Sequence, residues 1–315
     1  MIDKLEKIFI PLAEKIGKNR YLLAIRDGFL LTTPLLIIGS FFLLVANFPI
    51  PNWVEFWAKF FGDNWTSYMS KPTNATFDIM AIFAVIGIAY SFSRELNVDK
   101  LSGAAVALVS WFILMPYSVT DGNVTLPGIP LGWIGSKGIF VGIITAFISV
   151  HIYAFVKKKG WMIKMPEGVP PAVTQSFEAL VPSAVVLTIF FLINILFSLT
   201  PYGNAFDFIF KCLQGPLQSL GSTVGAVLIA MGFQHVFWFF GINGGSIVGS
   251  IMQPILTPLS MENLAAYQAG NPLPHVINQQ FYDLFTTFGG AGSTLSMVIA
   301  MVLFCKSKRI KDRKS

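Results

Sequence analysis

Long apolar runs restrict most strongly what this chain can fold into. Several of them approach or exceed the roughly 18–20 residues that an α-helix needs to cross a bilayer. The composition agrees, because 54% of the residues are hydrophobic and only 12% are charged, whereas ordinary soluble domains carry about 25% charged residues. The sequence therefore predicts an all-α polytopic membrane protein.

We expect about seven spans, because that many long apolar runs are separated by shorter polar stretches. Residues 1–20 and 203–215 have apolar side chains at helical spacing and are predicted to be amphipathic helices at the membrane interface. The Trp- and Phe-rich stretch 49–75 is expected to be a loop within an aromatic belt. The predicted spans are about 28–48, 76–93, 101–115, 131–156, 177–199, 217–241 and 291–305.

Basic residues indicate the side of the membrane on which each loop lies. Segments 1–27, 94–100 and 157–164 hold six, two and four Lys or Arg residues, whereas 49–75 and 117–130 hold two and none. Since basic loops remain in the cytoplasm, we predict that the N terminus and the basic C-terminal tail are cytoplasmic. The same rule explains the net charge of +6. Because the basic residues are scattered over separate loops, nucleic acid is not an expected partner.

An interrupted helix within Gly232–Pro258 is the strongest indication of function. An aromatic helix over 233–240 stops at Gly241, Asn243 and Gly244 and then resumes as an apolar run. Unpaired backbone groups cost several kcal/mol in lipid, so such a break is tolerated only against protein or a wet cavity. An amide beside flat aromatic rings suits a sugar. We predict a substrate-binding site here; the alternative is a helix-packing contact, for which glycines are common in membranes.

Counting membrane crossings predicts half-membrane pieces after this break. The predicted topology needs an odd number of crossings between the outside near residue 200 and the inside near residue 306. The pieces 246–259 and 278–290 are too short for a comfortable span at about 1.5 Å per residue. We therefore predict that 242–290 forms broken segments, at least one of them re-entrant, that line one cavity.

Four polar side chains are candidates for a binding or transport role. His235 precedes the break, and Asp283 lies on a second glycine-interrupted segment. Ionisable groups inside a membrane are candidates for functional residues. The alternative for both is a structural hydrogen bond to a neighbouring carbonyl group. Gln175 and Ser176 lie at the start of the fifth predicted span. Ser176 is either a helix cap there or, together with Gln175, a group that faces the cavity.

The other polar candidates and both cysteines are expected to be structural. His151 and His275 are expected to form hydrogen bonds within the protein, and Asp78 is expected to cap the second span. Cys212 and Cys305 lack metal-ligand or redox spacing and are interpreted as packing residues. The sequence contains no P-loop, GxSxG or HExxH motif, so we predict no catalytic residue, no metal and no cofactor.

Four segments of the chain together resemble one family of membrane proteins. They resemble the IIC membrane component of the phosphoenolpyruvate-dependent sugar phosphotransferase system, in the branch of lactose, cellobiose and diacetylchitobiose. The likeness runs in order from about Lys4 to Lys311. The segments are FWFFGINGGSIVGSIMQPI, RELNVDKLSGAAVALVSWFIL, PEGVPPAVTQSFEALVPSAV and FYDLFTTFGGAGSTLSMVI.

The resemblance implies a homodimer in the lipid bilayer of a bacterial plasma membrane. Residues 1–200 are then a five-span dimerisation scaffold, and 201–315 hold a β-linked disaccharide between re-entrant segments. It also implies a phosphorylated IIB partner, supplied by IIA, that transfers phosphate to the 6-hydroxyl of the sugar. With the residue analysis, the predicted substrate site is His235, Asn243, Gly244, Asp283, Gln175 and Ser176.

Two departures from the family pattern affect these expectations. Many relatives have His where this chain has Asn243, and an amide cannot act as a general base near neutral pH. The family also includes an Asn-Glu-Pro motif that does not occur here, so we expect a truncated chain. Two alternatives stay open. One is an ion-coupled transporter that uses His235 or Asp283 as proton carrier, and the other is a truncated fragment that does not transport.

Overall fold

Helices dominate the part of the chain that the computed structural model describes, with one short β-hairpin. The described residues are 11, 15–121, 124–166, 168–287 and 294–304. The chain divides into two compact units: the first unit is Leu23–Pro216, and the second unit is Met1–Leu22 with Leu217–Ser315. The roles predicted for 1–200 and 201–315 stay predictions.

Four helical stretches among the described residues are long and apolar enough to cross a membrane. A fifth is added if the helices Ala205–Gly221 and Val224–Phe239, which meet at an angle of 77°, form one bent span. The predicted span at 101–115 is a shorter apolar helix, Lys100–Leu114. An all-α membrane architecture therefore agrees with the structure, whereas seven spans are not confirmed. The four long stretches are Arg20–Ala46, Trp65–Glu95, Ser136–Lys158 and Pro171–Ser198.

From residue 20 to residue 221 the chain is a succession of helices interrupted by one hairpin. In the hairpin, β1 and β2 pair antiparallel with Ser118 opposite Pro127. The helices before it are α1 (Arg20–Ala46), α2 (Trp53–Phe61), α3 (Trp65–Phe77), α4 (Met80–Glu95) and α5 (Lys100–Leu114). The elements that follow are β1 (Ser118–Asp121), β2 (Val124–Pro127), α6 (Leu131–Ile134), α7 (Ile139–Lys158), α8 (Pro171–Ser198), α9 (Ala205–Ile209) and α10 (Gly215–Gly221).

Helices α4, α5 and α7 pack on one another and form the core of the first unit, with α8 against α5 and α7. Small side chains line the buried face of α4, among them Ala81, Ala84 and Ala89. Small residues let helix backbones approach closely, which supports helix association in lipid. Trp111 of α5 is fully buried and fills the space between the helices.

A charged cluster ties α1 to α4 within the first unit. The Asp27 carboxylate accepts hydrogen bonds from Arg94 at 2.7 Å, from Ser91 at 3.0 Å and from Arg26 at 2.6 Å. A charged side chain in an apolar helix is costly unless it is paired. The pairing of Asp27 therefore explains how α1 carries a carboxylate within its apolar sequence.

Asp99 caps the start of α5 in the turn after α4. Its carboxylate accepts a hydrogen bond from the Ser102 backbone N–H at 2.6 Å. Burial opposes ionisation of this carboxyl, but the hydrogen bonds from Ser102 and the nearby Lys157 ammonium group outweigh it and hold the pKa of Asp99 below its usual value. A carboxyl with a lowered pKa stabilises the folded state above its unfolded pKa and loses that effect as the pH falls through the lowered pKa.

We predict that Asp99→Ala lowers the free energy of unfolding by about 1 kcal/mol, the usual cost of losing a helix cap. Asp99→Asn retains a capping oxygen and is the matched control. Thermal unfolding in detergent measures both variants. The difference in stability between wild type and Asp99→Ala is expected to begin to shrink as the pH falls below about 4, the usual aspartate pKa, and to shrink further as the pH falls through the lowered pKa of Asp99. Equal stability of wild type and Asp99→Ala at neutral pH would contradict the capping role.

The stretch 49–75 is not the loop that the sequence analysis predicted. It contains α2 and α3, and a tryptophan at the start of each helix bonds to the backbone of the preceding helix. Trp53 Nε1 donates to the Val45 carbonyl at 2.8 Å, and Trp65 Nε1 donates to the Val54 carbonyl at 3.1 Å. These two indole bonds join segments that are separated along the chain, which local sequence patterns do not reveal.

Three smaller predictions in this part of the chain are wrong. Asp78 does not cap the second span, since it ends α3 and α4 begins at Met80 without a side-chain cap. Ser176 is not a helix cap, because α8 begins earlier, at a proline that suits the first helical turn. Cys212 is exposed instead of packed. Cys305 lies outside the described residues.

His151 packs edge-on against the Phe92 ring, with centroids 4.9 Å apart.

After residue 221, the described part of the second unit forms four further helices around an apolar core. The core includes Phe237, Val248, Leu256 and Tyr282. The piece 246–259 is not a separate half-membrane segment, because it belongs to one continuous helix of 25 residues. Most of the predicted interfacial helix over 1–20 lies outside the described residues. The helices are α11 (Val224–Phe239), α12 (Gly244–Gln268), α13 (Gln279–Thr286) and α14 (Thr294–Phe304).

The loop between α12 and α13 is held against α12 by hydrogen bonds to His275. The Asn263 amide donates to the His275 carbonyl at 2.6 Å and accepts from the His275 N–H at 2.9 Å. The His275 ring lies 2.6 Å from a Glu262 carboxylate oxygen. The structural role predicted for His275 is therefore confirmed.

Candidate functional site

The interruption predicted after the aromatic helix is confirmed, and its hydrogen bonds explain it. α11 ends at Phe239 and α12 begins at Gly244. The Ile242 N–H donates to the Phe237 carbonyl, and the Gly241 N–H donates to the Trp238 carbonyl, each at 3.0 Å. This pair of bonds is a Schellman motif, which ends a helix with one residue at positive φ. Gly241 has a φ of 77°, which glycine adopts without strain.

Asn243 begins the next helix and remains accessible. Its side-chain Oδ1 accepts a hydrogen bond from the Ser246 N–H at 2.9 Å, so Asn243 is the N-cap of α12. The residue is exposed. Since the cap uses only the oxygen, the two Nδ2–H donors remain available for a ligand. The site therefore offers an amide donor next to the positive end of a helix dipole.

Gly244 has a clear packing role. It is buried, and a Cβ atom at this position would collide with the backbone carbonyl of Gln234 on α11. The close approach of the α12 backbone to α11 requires glycine here. This is the helix-packing alternative that the sequence analysis left open, and it places the start of α12 directly against the helix that carries His235.

We predict that Gly244→Ala destabilises the protein by about 1–3 kcal/mol, the usual cost of forcing extra volume into a packed contact. The matched control is Gly249→Ala on the same helix, because no atom lies within 4 Å of a Cβ built at Gly249. Thermal unfolding in detergent compares the two. An unchanged melting temperature for Gly244→Ala would show that the backbones are farther apart than described.

His235 uses one ring nitrogen for a structural hydrogen bond. Its Nδ1 lies 2.7 Å from the Met231 carbonyl oxygen, one turn earlier on α11. Because a carbonyl only accepts, Nδ1 is the donor in this hydrogen bond, and Nε2 is the ring nitrogen left for another contact. The ring is half-buried. Nδ1 therefore forms the structural hydrogen bond that the sequence analysis gave as the alternative for His235. Only Nε2 is left to contact a substrate.

Asp283 lies on the exposed face of α13, whose other face is buried. Its Oδ1 accepts a hydrogen bond from the Gln279 amide at 2.9 Å. The preceding residue, Tyr282, is buried and its hydroxyl donates to Gln234 Oε1 at 3.1 Å. One face of α13 therefore holds the helix against α11, and the other presents a carboxylate.

The structure places four of the six predicted site residues in the second unit: His235, Asn243, Gly244 and Asp283. Gln175 and Ser176 belong to the first unit, where both are exposed on α8. The Ser176 hydroxyl donates to the Ala172 carbonyl at 2.9 Å.

The sequence analysis missed Gln234 and Tyr282, whose hydrogen bond crosses the second unit. The available signal was the Gln234 amide, which with the adjacent His235 interrupts an apolar helix.

The comparisons with known proteins identify the family. The family described as "Phosphotransferase system, EIIC" matches residues 26–313. The chain belongs to this family. The crystal structure of ChbC, the IIC component from the N,N'-diacetylchitobiose-specific phosphotransferase system, is similar with a TM-score of 0.92 and 43% identity. The match covers 98% of this chain and 73% of that chain.

Two curated IIC components are similar over almost the whole chain. The lichenan permease IIC component of Bacillus subtilis (strain 168) is 40% identical, over 98% of this chain and 70% of that protein. The cellobiose-specific EIIC component of Geobacillus stearothermophilus is also 40% identical, over 99% of this chain and 71% of that protein. This chain therefore spans about 70% of the length of both relatives.

Membership of this family decides between the functions that the sequence left open. An EIIC protein is the membrane permease of a phosphotransferase system, and it works with a sugar substrate and a IIB component. The protein is thus a sugar permease component and not an ion-coupled transporter. The predicted orientation of its termini and the predicted homodimer stay predictions.

Proposed function

We propose that this EIIC protein carries a β-linked disaccharide such as cellobiose, diacetylchitobiose or lactose. The single observation that supports the proposal most is the break between Phe239 and Gly244, where an exposed amide begins a helix. A sugar needs directional polar groups beside apolar surface. The break supplies the Asn243 donors, and the adjacent helix ends with the aromatic side chains of Trp238, Phe239 and Phe240.

In this proposal the sugar is modified only by the partner protein. A phosphorylated IIB component, supplied by IIA, transfers its phosphate to the 6-hydroxyl of the bound disaccharide on the cytoplasmic side. His235, Asn243 and Asp283 bind the sugar, and Gly244 lets the start of α12 lie close to α11 beside them. The roles predicted for Gln175 and Ser176 stay predictions. Asn243 donates hydrogen bonds but does not accept the hydroxyl proton, because an amide is not a base near neutral pH.

The proposal also includes the assembly and orientation predicted from the sequence. The protein is a homodimer in the bacterial plasma membrane, with its N terminus and basic C-terminal tail in the cytoplasm. The run Lys157, Lys158 and Lys159 after the apolar part of α7 supports this orientation, since basic residues remain on the cytoplasmic side of a span.

We expect membrane vesicles that contain the protein to accumulate sugar phosphate from cellobiose. Accumulation requires the cytoplasmic phosphocarriers and phosphoenolpyruvate, because phosphorylation traps the sugar inside. Radiolabelled sugar and separation of its phosphorylated form measure this. Uptake of unmodified sugar without phosphoenolpyruvate would refute the proposal, and binding without any uptake would indicate a fragment that does not transport.

Replacement of Asn243 separates its capping role from its binding role. Asn243→Ser keeps an oxygen that caps α12 but lacks the amide donors. We expect an almost unchanged melting temperature and a sugar affinity lowered by about 1–3 kcal/mol, the cost of an unpaired buried partner.

Thermal unfolding of the purified protein, with and without sugar, gives both the melting temperature and the sugar affinity of each variant. Asn243→Ala is the comparison variant and is expected to lose the cap as well as the affinity. If Asn243→Ser binds cellobiose like wild type, Asn243 does not contact the sugar.

A further inference from the structure

Gln234 is a buried polar side chain at the centre of an apolar core. Its side chain lies on α11 and is 1% exposed, and its partner Tyr282 on α13 is 3% exposed. The Tyr282 hydroxyl donates to Gln234 Oε1 at 3.1 Å. Within the described part of the chain, Gln234 Nε2 has no hydrogen-bond partner. A buried amide that is only partly paired lowers the stability of the folded protein. The presence of Gln234 at this position is therefore not explained by stability.

The same residue also contacts the start of α12. The backbone of Gln234 lies so close to Gly244 that a Cβ at Gly244 would be 3.0 Å from the Gln234 Cα and would collide with its carbonyl oxygen. Gln234 therefore touches both elements that follow the break: α12 through its backbone and α13 through its side chain.

Each member of the buried pair directly precedes a polar residue of the proposed sugar site. His235 follows Gln234, and Asp283 follows Tyr282. Consecutive residues of a helix point to different faces, so the buried bond lies behind the accessible groups. A hydrogen bond between Gln234 and Tyr282 fixes the distance and rotation of α11 relative to α13. Apolar contacts alone tolerate small shifts between helices, because they have no preferred direction.

We propose that Gln234 is a positioning residue for the sugar site. Through Tyr282 and Gly244 it holds His235, Asp283 and Asn243 at the spacing that the sugar requires, without touching the sugar itself. The inference rests on the proposed function, because it assigns a task to a residue behind the same site. Its chemistry is a neutral amide–phenol hydrogen bond, and it involves no group transfer.

The test uses Gln234→Leu, Tyr282→Phe and the double variant. Each single variant leaves a buried polar group unpaired, so we expect a lower melting temperature together with a dissociation constant for cellobiose raised by about tenfold. The double variant removes both polar groups, which restores most of the stability. The double variant still lacks the hydrogen bond between α11 and α13, so we expect its dissociation constant for cellobiose to stay about tenfold above that of wild type.

If Gln234 and Tyr282 only stabilise the fold and do not position the sugar site, the double variant gives a different result. In that case the restored stability is accompanied by wild-type sugar affinity, and this outcome overturns the proposal. Tyr267→Phe is the matched control, since it removes an exposed hydroxyl from α12 in the same unit and is expected to change neither value. If Gln234→Leu does not fold, Tyr282→Phe decides, and an unchanged dissociation constant overturns the proposal.

The wild-type measurement separates this inference from the proposed function. Cellobiose, N,N'-diacetylchitobiose and lactose are tested by the thermal stabilisation that each gives to the full 315-residue chain. If wild type binds none of them, the proposed function fails, and the positioning role fails with it. If wild type binds one and the double variant binds it equally well, only the positioning role fails.

Discussion

The second unit depends on how backbone polar groups are satisfied where α11 stops. A helix end leaves N–H and C=O groups without partners, and apolar surroundings do not replace them. Here the carbonyls of Phe237 and Trp238 accept from the N–H groups of Ile242 and Gly241, and the Asn243 side chain accepts from the first turn of α12. With these groups paired, a helical chain can stop and restart next to Asn243, where the proposed substrate site lies.

Paired polar groups in apolar surroundings also organise the first unit. Asp27 joins α1 to α4 through Arg94 and Ser91, as Gln234 joins α11 to α13 through Tyr282. In both cases a directional bond determines how two helices lie against each other. In an environment where lipid and side chains are equally apolar, such bonds and close backbone contacts distinguish one packing from many similar ones.

The chemistry of the proposed site fits a permease that leaves phosphorylation to its partner. The Asn243 amide donates hydrogen bonds, and His235 keeps Nε2 for a second contact because Nδ1 bonds to the Met231 carbonyl; both groups suit sugar hydroxyls. In the proposed function, Asn243 binds the sugar through its amide but does not accept the hydroxyl proton, because an amide is not a base near neutral pH.

Local patterns predicted much of this protein, because apolar length and helix-breaking residues act locally. The long apolar runs indicated a helical membrane protein, and Gly241, Asn243 and Gly244 predicted the break at its correct place. The same reasoning missed the helices at 49–75, and it ended the apolar run after Pro258, although α12 continues to Gln268. A proline inside a helix removes one N–H, but neighbouring groups can compensate within a packed unit.

The sequence by itself determined the membrane class, the helix interruption and the type of side chain that stands there. Only the tertiary structure decided which polar side chains meet: Tyr282 bonds to Gln234, 48 positions earlier, and Arg94 bonds to Asp27, 67 positions earlier. Composition and periodicity describe each helix separately. The partner of a buried polar group depends on how helices distant in the chain pack, and that is a property of the folded protein.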